Sequence, residues 1–227
     1  MIKNIIKESL SPDKEYIYGF ADLAGLLDKK YIEYRYGIVI GVKLDDDIID
    51  SISEGPNPEY LDLYRNTNSE LWILAKTIEK KLGSENIYTR AIPPTITEED
   101  RNKDFYKSLR LDFSHKMVAT RAGLGWIGKT ALFISEKFGP RLRLVSLLTD
   151  FPIETFNKPY EKSQCGDCKI CIQKCPADAS NGKLWDINTD RDEFFNAFKC
   201  REKCKEFSIN NVPICGICVS VCPIGKI

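Results

Sequence analysis

The chain has 227 residues, with 33 Lys+Arg set against 33 Asp+Glu and a formal net charge of zero. That length buries a sizeable core, or two, and the balanced charge excludes the basic footprint of a dedicated nucleic-acid binder. No stretch approaches the ~20 apolar residues of a membrane span, and the opening MIKNIIKESLSPDKEY has neither a long apolar run nor a small-residue cleavage site, so a cytoplasmic protein with no membrane attachment is expected.

Residues 1–10 carry apolar positions at helical spacing. YIYGF (16–20) and YGIVIGVKL (36–44) are rich in β-branched and aromatic residues and read as strands, with a helix expected over ADLAGLLDKK (21–30) between them. The acidic run Asp45-Asp46-Asp47 reads as a solvated turn. A helical period starts near Pro58 and stops at Gly83. NIYTRAIPP (86–94) reads as a short strand ended by Pro93-Pro94, and residues 104–122 as a further helix. ALFIS (131–135) and RLRLVSLLTD (141–150) flank Phe138-Gly139-Pro140, the pattern of two strands joined by a turn. Strands alternating with helices imply a layered α/β or α+β domain.

The stretch GLGWIGKT, Gly123 to Thr130, satisfies the P-loop pattern, and its first six residues satisfy the dinucleotide fingerprint. Both motifs need a buried strand before them and a helix after, so that a helix N-terminus meets the phosphates. Here the mixed, polar DFSHKMVATRA precedes and the strand-like ALFIS follows. VSLLTD (145–150), an apolar segment ending in an Asp of the kind that holds magnesium, comes too soon for an intervening helix. Two readings stand instead: a glycine turn whose backbone lets something pack closely, or a loop lining another cofactor.

All nine cysteines lie between Cys165 and Cys222. This compositional boundary divides the chain into residues 1–160 and 161–227. An odd number without a secretory signal favours metal or redox chemistry over a disulfide framework. CGDCKICIQKCP places Cys165, Cys168, Cys171 and Cys175 before a proline in the bacterial ferredoxin spacing, whose fourth thiolate ligates the other cluster of a pair. ICGICVSVCP supplies Cys215, Cys218 and Cys222, with Val212 where a first ligand is expected. Crossed ligation therefore predicts one [4Fe-4S] cluster on Cys165, Cys168, Cys171 and Cys222. The other takes Cys175, Cys215, Cys218 and either Cys200 or Cys204, four residues apart on an expected helix whose geometry does not choose between them. Zinc is the competing reading, yet zinc sites pair two-cysteine knuckles across a longer gap or add histidine, and the single histidine, His115, lies outside this region.

HKMVATRAGLGWIGKTALFISEKFGPRLRLVSLLTD, followed by CGDCKICIQKCPADA and CGICVSVCP, resembles the epoxyqueuosine reductase family, and more distantly the cobalamin-dependent reductive dehalogenases. The resemblance runs in order from about residue 16 to 225 and is greatest to short-form members. It implies an α+β fold: a nitroreductase-like, cobalamin-binding α/β domain over residues 1–160, then a two-cluster ferredoxin-like domain over 161–227. It implies an oxidoreductase in which two [4Fe-4S] clusters feed a corrinoid cobalt that drives removal of an epoxide oxygen or a halide. Gly123, Gly125, Trp126, Gly128 and Lys129 would then belong to a loop near the corrin, and Cys200 rather than Cys204 would be the eighth cluster ligand. An external donor such as a ferredoxin or flavodoxin, and a small-molecule or modified-nucleoside substrate, are the expected partners.

The chain departs from the tRNA-modifying members in three ways. The resemblance would place a helical-repeat tRNA domain after Cys222, and with only five residues following there, tRNA binding is not expected. The chain lacks their D-S-x-P proton-donor segment; Asp112 is the nearest acid and His115 the nearest titratable alternative, each also readable as a surface or packing residue. It lacks the D-x-H-x-x-G motif, so no cobalt-ligating histidine is expected from that motif. Two alternatives remain: a non-catalytic electron-transfer protein that reduces a partner such as a corrinoid protein, and a flavin- or nucleotide-using reductase with the same clusters.

Overall fold

The structure, a computed structural model, describes residues 1–226. Helix α1 (Ile2–Ser9) is followed by strand β1 (Tyr16–Asp22), which pairs antiparallel with β2 (Tyr36–Lys43), Tyr16 opposite Val42 and Asp22 opposite Tyr36. The helix expected over 21–30 does not form; only a single 3-10 turn at Lys29–Tyr31 appears. Asp22 Oδ1 accepts from the Ala24 N–H at 3.0 Å, and Oδ2 pairs with Arg35 at 2.8 Å. Gly25 takes φ +73, outside the helical region. These local bonds outcompete the helix.

The acidic run is solvated at Asp45 and Asp47, as expected, but it opens a helix instead of forming a turn. Asp45 accepts from the Ile48 N–H at 3.0 Å and opens α2 (Asp46–Asp50). Helix α3 (Pro58–Ser84) starts at Pro58 as expected, with Asn57 Oδ1 accepting from the Tyr60 N–H. After β3 (Arg90–Ile92), the single helix expected over 104–122 is two, α4 (Lys103–Ser108) and α5 (His115–Arg121). Leu109 adopts a left-handed φ of 52 that ends α4, and Ser114 caps α5 by accepting from the Met117 N–H. Strands β4 (Gly125–Ile127), β5 (Phe133–Ser135) and β6 (Leu142–Thr149) follow. The two strands flanking Phe138-Gly139-Pro140 belong to different sheets: β5 pairs with β4, while β6 joins a four-stranded sheet of order β1-β2-β6-β3.

The chain divides into two units. The first holds residues 1–43, 67–124 and 143–159. Ile38, Ile40 and Val42 alternate along β2 and bury one face against Leu71, Ala75, Ile78 and Leu82 of α3 and Ile6 of α1. The other face meets α5, and glycines permit the approach: a Cβ on Gly37 would stand 2.7 Å from Val118, one on Gly19 2.9 Å from Ala122. The unit is thus a layered mixture of helix and sheet.

The second unit holds residues 44–66, 125–142 and 160–227, so the cut does not fall only at residue 160: two earlier segments fold with the cysteines. Its core joins Leu44, Ile49, Ile52, Tyr60 and Leu61 to Ile214 and Val219. Its helices are α6 (Ile170–Gln173), α7 (Ala197–Glu206) and α8 (Ile217–Ser220). Gly216, at φ +90, brings the second cysteine run against this core; a Cβ there would stand 2.6 Å from Ile52 and 2.7 Å from Tyr60. Among the described residues no helix is long and apolar enough to cross a membrane.

Arg141 ties the second unit together. It is 1% exposed, pairs with Asp46 at 3.0 Å and with Asp50, and donates to the Ser220 carbonyl at the end of α8. Replacing both carboxylates (Asp46→Asn with Asp50→Asn) strands a buried guanidinium. Because the two acids are partly exposed, we expect a loss of about 2 kcal/mol, below the range for fully buried pairs, read as a lower urea midpoint at unchanged slope.

Candidate functional site

None of the nine cysteines is in a disulfide. The fold gathers eight of their thiols into two sets. Cys171 stands beside Cys165, Cys168 and Cys222, and burial with these neighbours pushes its thiol up to about 11. Cys222 in turn faces Cys165 and Cys168 across 54 to 57 positions of sequence. In the second set Cys204 shares its proton with Cys200 and Cys215, and Cys218 faces Cys200 and Cys215. The sets adjoin, since Cys218 also feels Cys171. Val212, at the vacant ligand position, packs against the apolar core instead. Cys175, placed by sequence in the second set, is half-buried just beyond α6, where its N–H bonds to the Ile172 carbonyl and its carbonyl accepts from Asp178. Among the described residues no three His, Cys, Asp or Glu side chains converge on one point as ligands of a single ion do.

The proton shared by Cys204 orders the second set chemically. It lowers the thiols that accept it, Cys200 and Cys215, the latter to about 7, and raises Cys204 itself. Burial pushes the Cys218 thiol up, opposed by a hydrogen bond from Thr130.

The glycine stretch is a β-hairpin, β4 and β5, lying wholly within the second unit from Gly125 onward. Strand–turn–strand is incompatible with both nucleotide motifs. Gly125 has φ +154, and a Cβ there would stand 2.0 Å from the Ile134 carbonyl oxygen, so the close-packing role of this glycine is literal. Gly123, in the first unit at φ +67, is likewise pressed against Asn157 and the Lys158 carbonyl. Trp126 donates its indole N–H to Cys165 Sγ at 3.4 Å. Lys129 is 4% exposed, and its ammonium donates to the carbonyls of Gly166 (2.7 Å) and Cys168 (2.8 Å). Ser180 donates to the Lys129 carbonyl at 2.6 Å, fixing the turn from the other side. A Cβ on Gly128 would stand 3.6 Å from Cys165 Sγ. Thr130, which sequence reasoning did not single out, contacts the second thiol set through Cys218.

Asp112 lies in the first unit, exposed, 3.8 Å from the Lys30 ammonium. It borders a cleft of about 320 Å³ lined by Tyr31, Trp72, Arg90, Phe113 and His115. His115 is half-buried at the edge of this cleft, with Nδ1 3.0 Å from Ser146 Oγ and Nε2 2.9 Å from the Pro93 carbonyl. A carbonyl only accepts, so Nε2 carries the proton and Nδ1 accepts from the serine. Desolvation holds the ring down to about 4, with the Arg143 guanidinium acting in the same direction.

No family profile matches the chain. An epoxyqueuosine reductase of Cyclobacterium marinum is 30% identical over 95 residues, which are 36% of this chain and 30% of that protein. The chain is a relative of the epoxyqueuosine reductases. Its fold is shared with a solved epoxyqueuosine reductase from Bacillus subtilis, at TM-score 0.58 and 18% identity over 99% of this chain and 64% of that one. A catabolic reductive dehalogenase matches at TM-score 0.71 and 15% identity, over 99% of this chain and 31% of that protein. The matched stretch is about a third of the length of the curated relatives.

Proposed function

We propose that the protein is an iron–sulfur reductase of the epoxyqueuosine reductase kind, in which two [4Fe-4S] clusters pass electrons to a corrinoid. The observation that carries this reading is that the fold brings the distant Cys222 into the neighbourhood of Cys165, Cys168 and Cys171, the ferredoxin-spaced run. Crossed ligation requires that contact, and two separate zinc knuckles do not. Four thiolates suit a cubane, so the first donor set fits; beside Cys200, Cys215 and Cys218 the structure brings Cys204, not the Cys175 expected from sequence. When bound, the clusters supply low-potential single electrons and the corrinoid a reduced cobalt able to displace an epoxide oxygen or halide.

The chain's own residues do the rest. Cys165, Cys168, Cys171 and Cys222 hold one cluster; Cys175, Cys200, Cys215 and Cys218 hold the other. A corrinoid takes no imidazole from this chain, because its one histidine spends both ring nitrogens on Ser146 and Pro93. The cleft beside Asp112, walled in part by Tyr31, Trp72 and Phe113, is the place we assign to a small substrate. Asp112 lies in the irregular segment between α4 and α5 and supplies a proton to the departing oxygen. The Bacillus subtilis protein likewise has a catalytic aspartate loop, one that swings out of its active site. Electrons come from an external donor such as a ferredoxin or flavodoxin.

After anaerobic reconstitution we expect iron and acid-labile sulfide near eight each per chain and a spectral change on titration with cob(II)alamin. No change with both clusters in place overturns the corrinoid part. A second reading, an electron-transfer protein that reduces a partner, draws support from the hairpin, which is occupied in packing against the first cysteine run. Turnover of a small substrate with no partner present decides against it.

A further inference from the structure

We propose that the hairpin of β4 and β5 tunes the cluster held by Cys165: Trp126 and Lys129 raise its reduction potential. The proposal rests on the cluster reading above. Reduction adds one electron and no proton to an already anionic thiolate cluster. Groups that place positive charge or N–H dipoles on its sulfurs therefore favour the reduced form.

Trp126 meets the first condition. Its indole N–H can only donate, a buried indole needs an acceptor, and the acceptor in this fold is Cys165 Sγ at 3.4 Å. Lys129 meets the second. An ammonium buried to 4% exposure is costly unless paired, yet its two acceptors are neutral carbonyls, those of Gly166 and Cys168. Both carbonyls lie in the short loop that carries Cys165 and Cys168, so the charge sits against the place where a cluster would bring its negative charge. Buried away from salt, that attraction is weakly screened. Gly128 keeps the turn close against Ile134, where a Cβ would stand 2.9 Å from its side chain, with the Cys165 sulfur at ordinary contact distance beyond. The same hairpin touches the second set through Thr130 beside Cys218, whereas Trp126 and Lys129 bond to the first cysteine run, so the second cluster serves as an internal control.

The test is an electron-paramagnetic-resonance redox titration of the anaerobically reconstituted full chain, with iron and sulfide counted in every sample. Trp126→Phe and Lys129→Met are each expected to shift the reduction equilibrium of the Cys165 cluster about tenfold toward the oxidised form, about 59 mV for a one-electron couple. The other cluster should move less than about threefold, and Lys129→Arg, which keeps the charge, should restore most of the lost potential. Full iron with an unmoved potential in both variants overturns the proposal, as does an equal shift of both clusters. If Lys129→Met loses iron, Trp126→Phe, which keeps an aromatic ring without the donor, decides. Iron near four in the unaltered chain overturns the two-cluster reading separately; a shift on the single remaining cluster still supports the tuning, and no shift still overturns it.

Discussion

Replacing Cys200 by alanine is expected to halve the iron of the reconstituted protein, from about eight to about four atoms per chain, whereas Cys204→Ala keeps both clusters. The two thiols lie one helical turn apart on α7, so either can face the second cysteine run. The Ile214 N–H bonds to the Cys204 carbonyl, which pins the end of α7 to that run. A cluster ligand must be a thiolate, and Cys200, Cys204 and Cys215 lie close enough to share hydrogen bonds. The family resemblance assigns the ligand role to Cys200 and leaves Cys204 as the spare thiol beside it. Cys175→Ala supplies the third arm. Crossed ligation expects it to lose one cluster as well. Retention of about eight irons there, with loss in Cys204→Ala, would replace the crossed set by Cys200, Cys204, Cys215 and Cys218.

The strands of the first unit and the long helix were legible because their signals are local and dense: YGIVIGVKL and the period after Pro58 leave little else for those residues to do. Residues 21–30 and 104–122 failed where a single side chain or backbone angle outweighs a helical pattern, the Asp22–Ala24 turn in one case and the left-handed Leu109 in the other. That Cys222 should approach Cys165, Cys168 and Cys171 could be expected from sequence, because cluster chemistry fixes cysteine spacing. The role of the glycine stretch was not. Trp126 finds its acceptor 39 positions away and Lys129 at 37 and 39, and no local pattern marks such pairs. Nor does composition reveal that residues 44–66 and 125–142 fold with the cysteines, since the cysteine count changes only after residue 164. A basic residue after Gly-x-x-Gly reads as a phosphate clamp until its neighbours in space are known; here the lysine clamps the cysteine loop itself.

Acid should weaken the first unit through His115, by about 3 kcal/mol in all between pH 6.5 and 4. The folded ring is held down to about 4, chiefly by desolvation, against about 6.5 when unfolded. Above pH 6.5 neither state binds the proton and the full stability is present. Within the window the unfolded chain binds it and the fold does not, so stability falls as pH falls, at about 1.4 kcal/mol per unit in the middle of the window. Below pH 4 both states are protonated and the loss stops growing. The fold gives the cation no relief: Nδ1 already accepts from Ser146, Arg143 repels it, and the ring sits in the first turn of α5, where the helix dipole disfavours positive charge. Acidic groups act in a different window. Asp22 and Asp50 are held below the usual carboxylate range by Arg35 and Arg141, so what they contribute is lost only as pH falls through the carboxylate range and below it. Comparison with His115→Asn isolates the histidine. The variant should be less stable at pH 7.5, having lost the bonds to Ser146 and Pro93, but its urea midpoint should fall less steeply between pH 6.5 and 5, so that the two proteins converge. Parallel slopes through that window would show that the ring titrates freely in the fold, and that His115 is not the neutral residue its two hydrogen bonds describe.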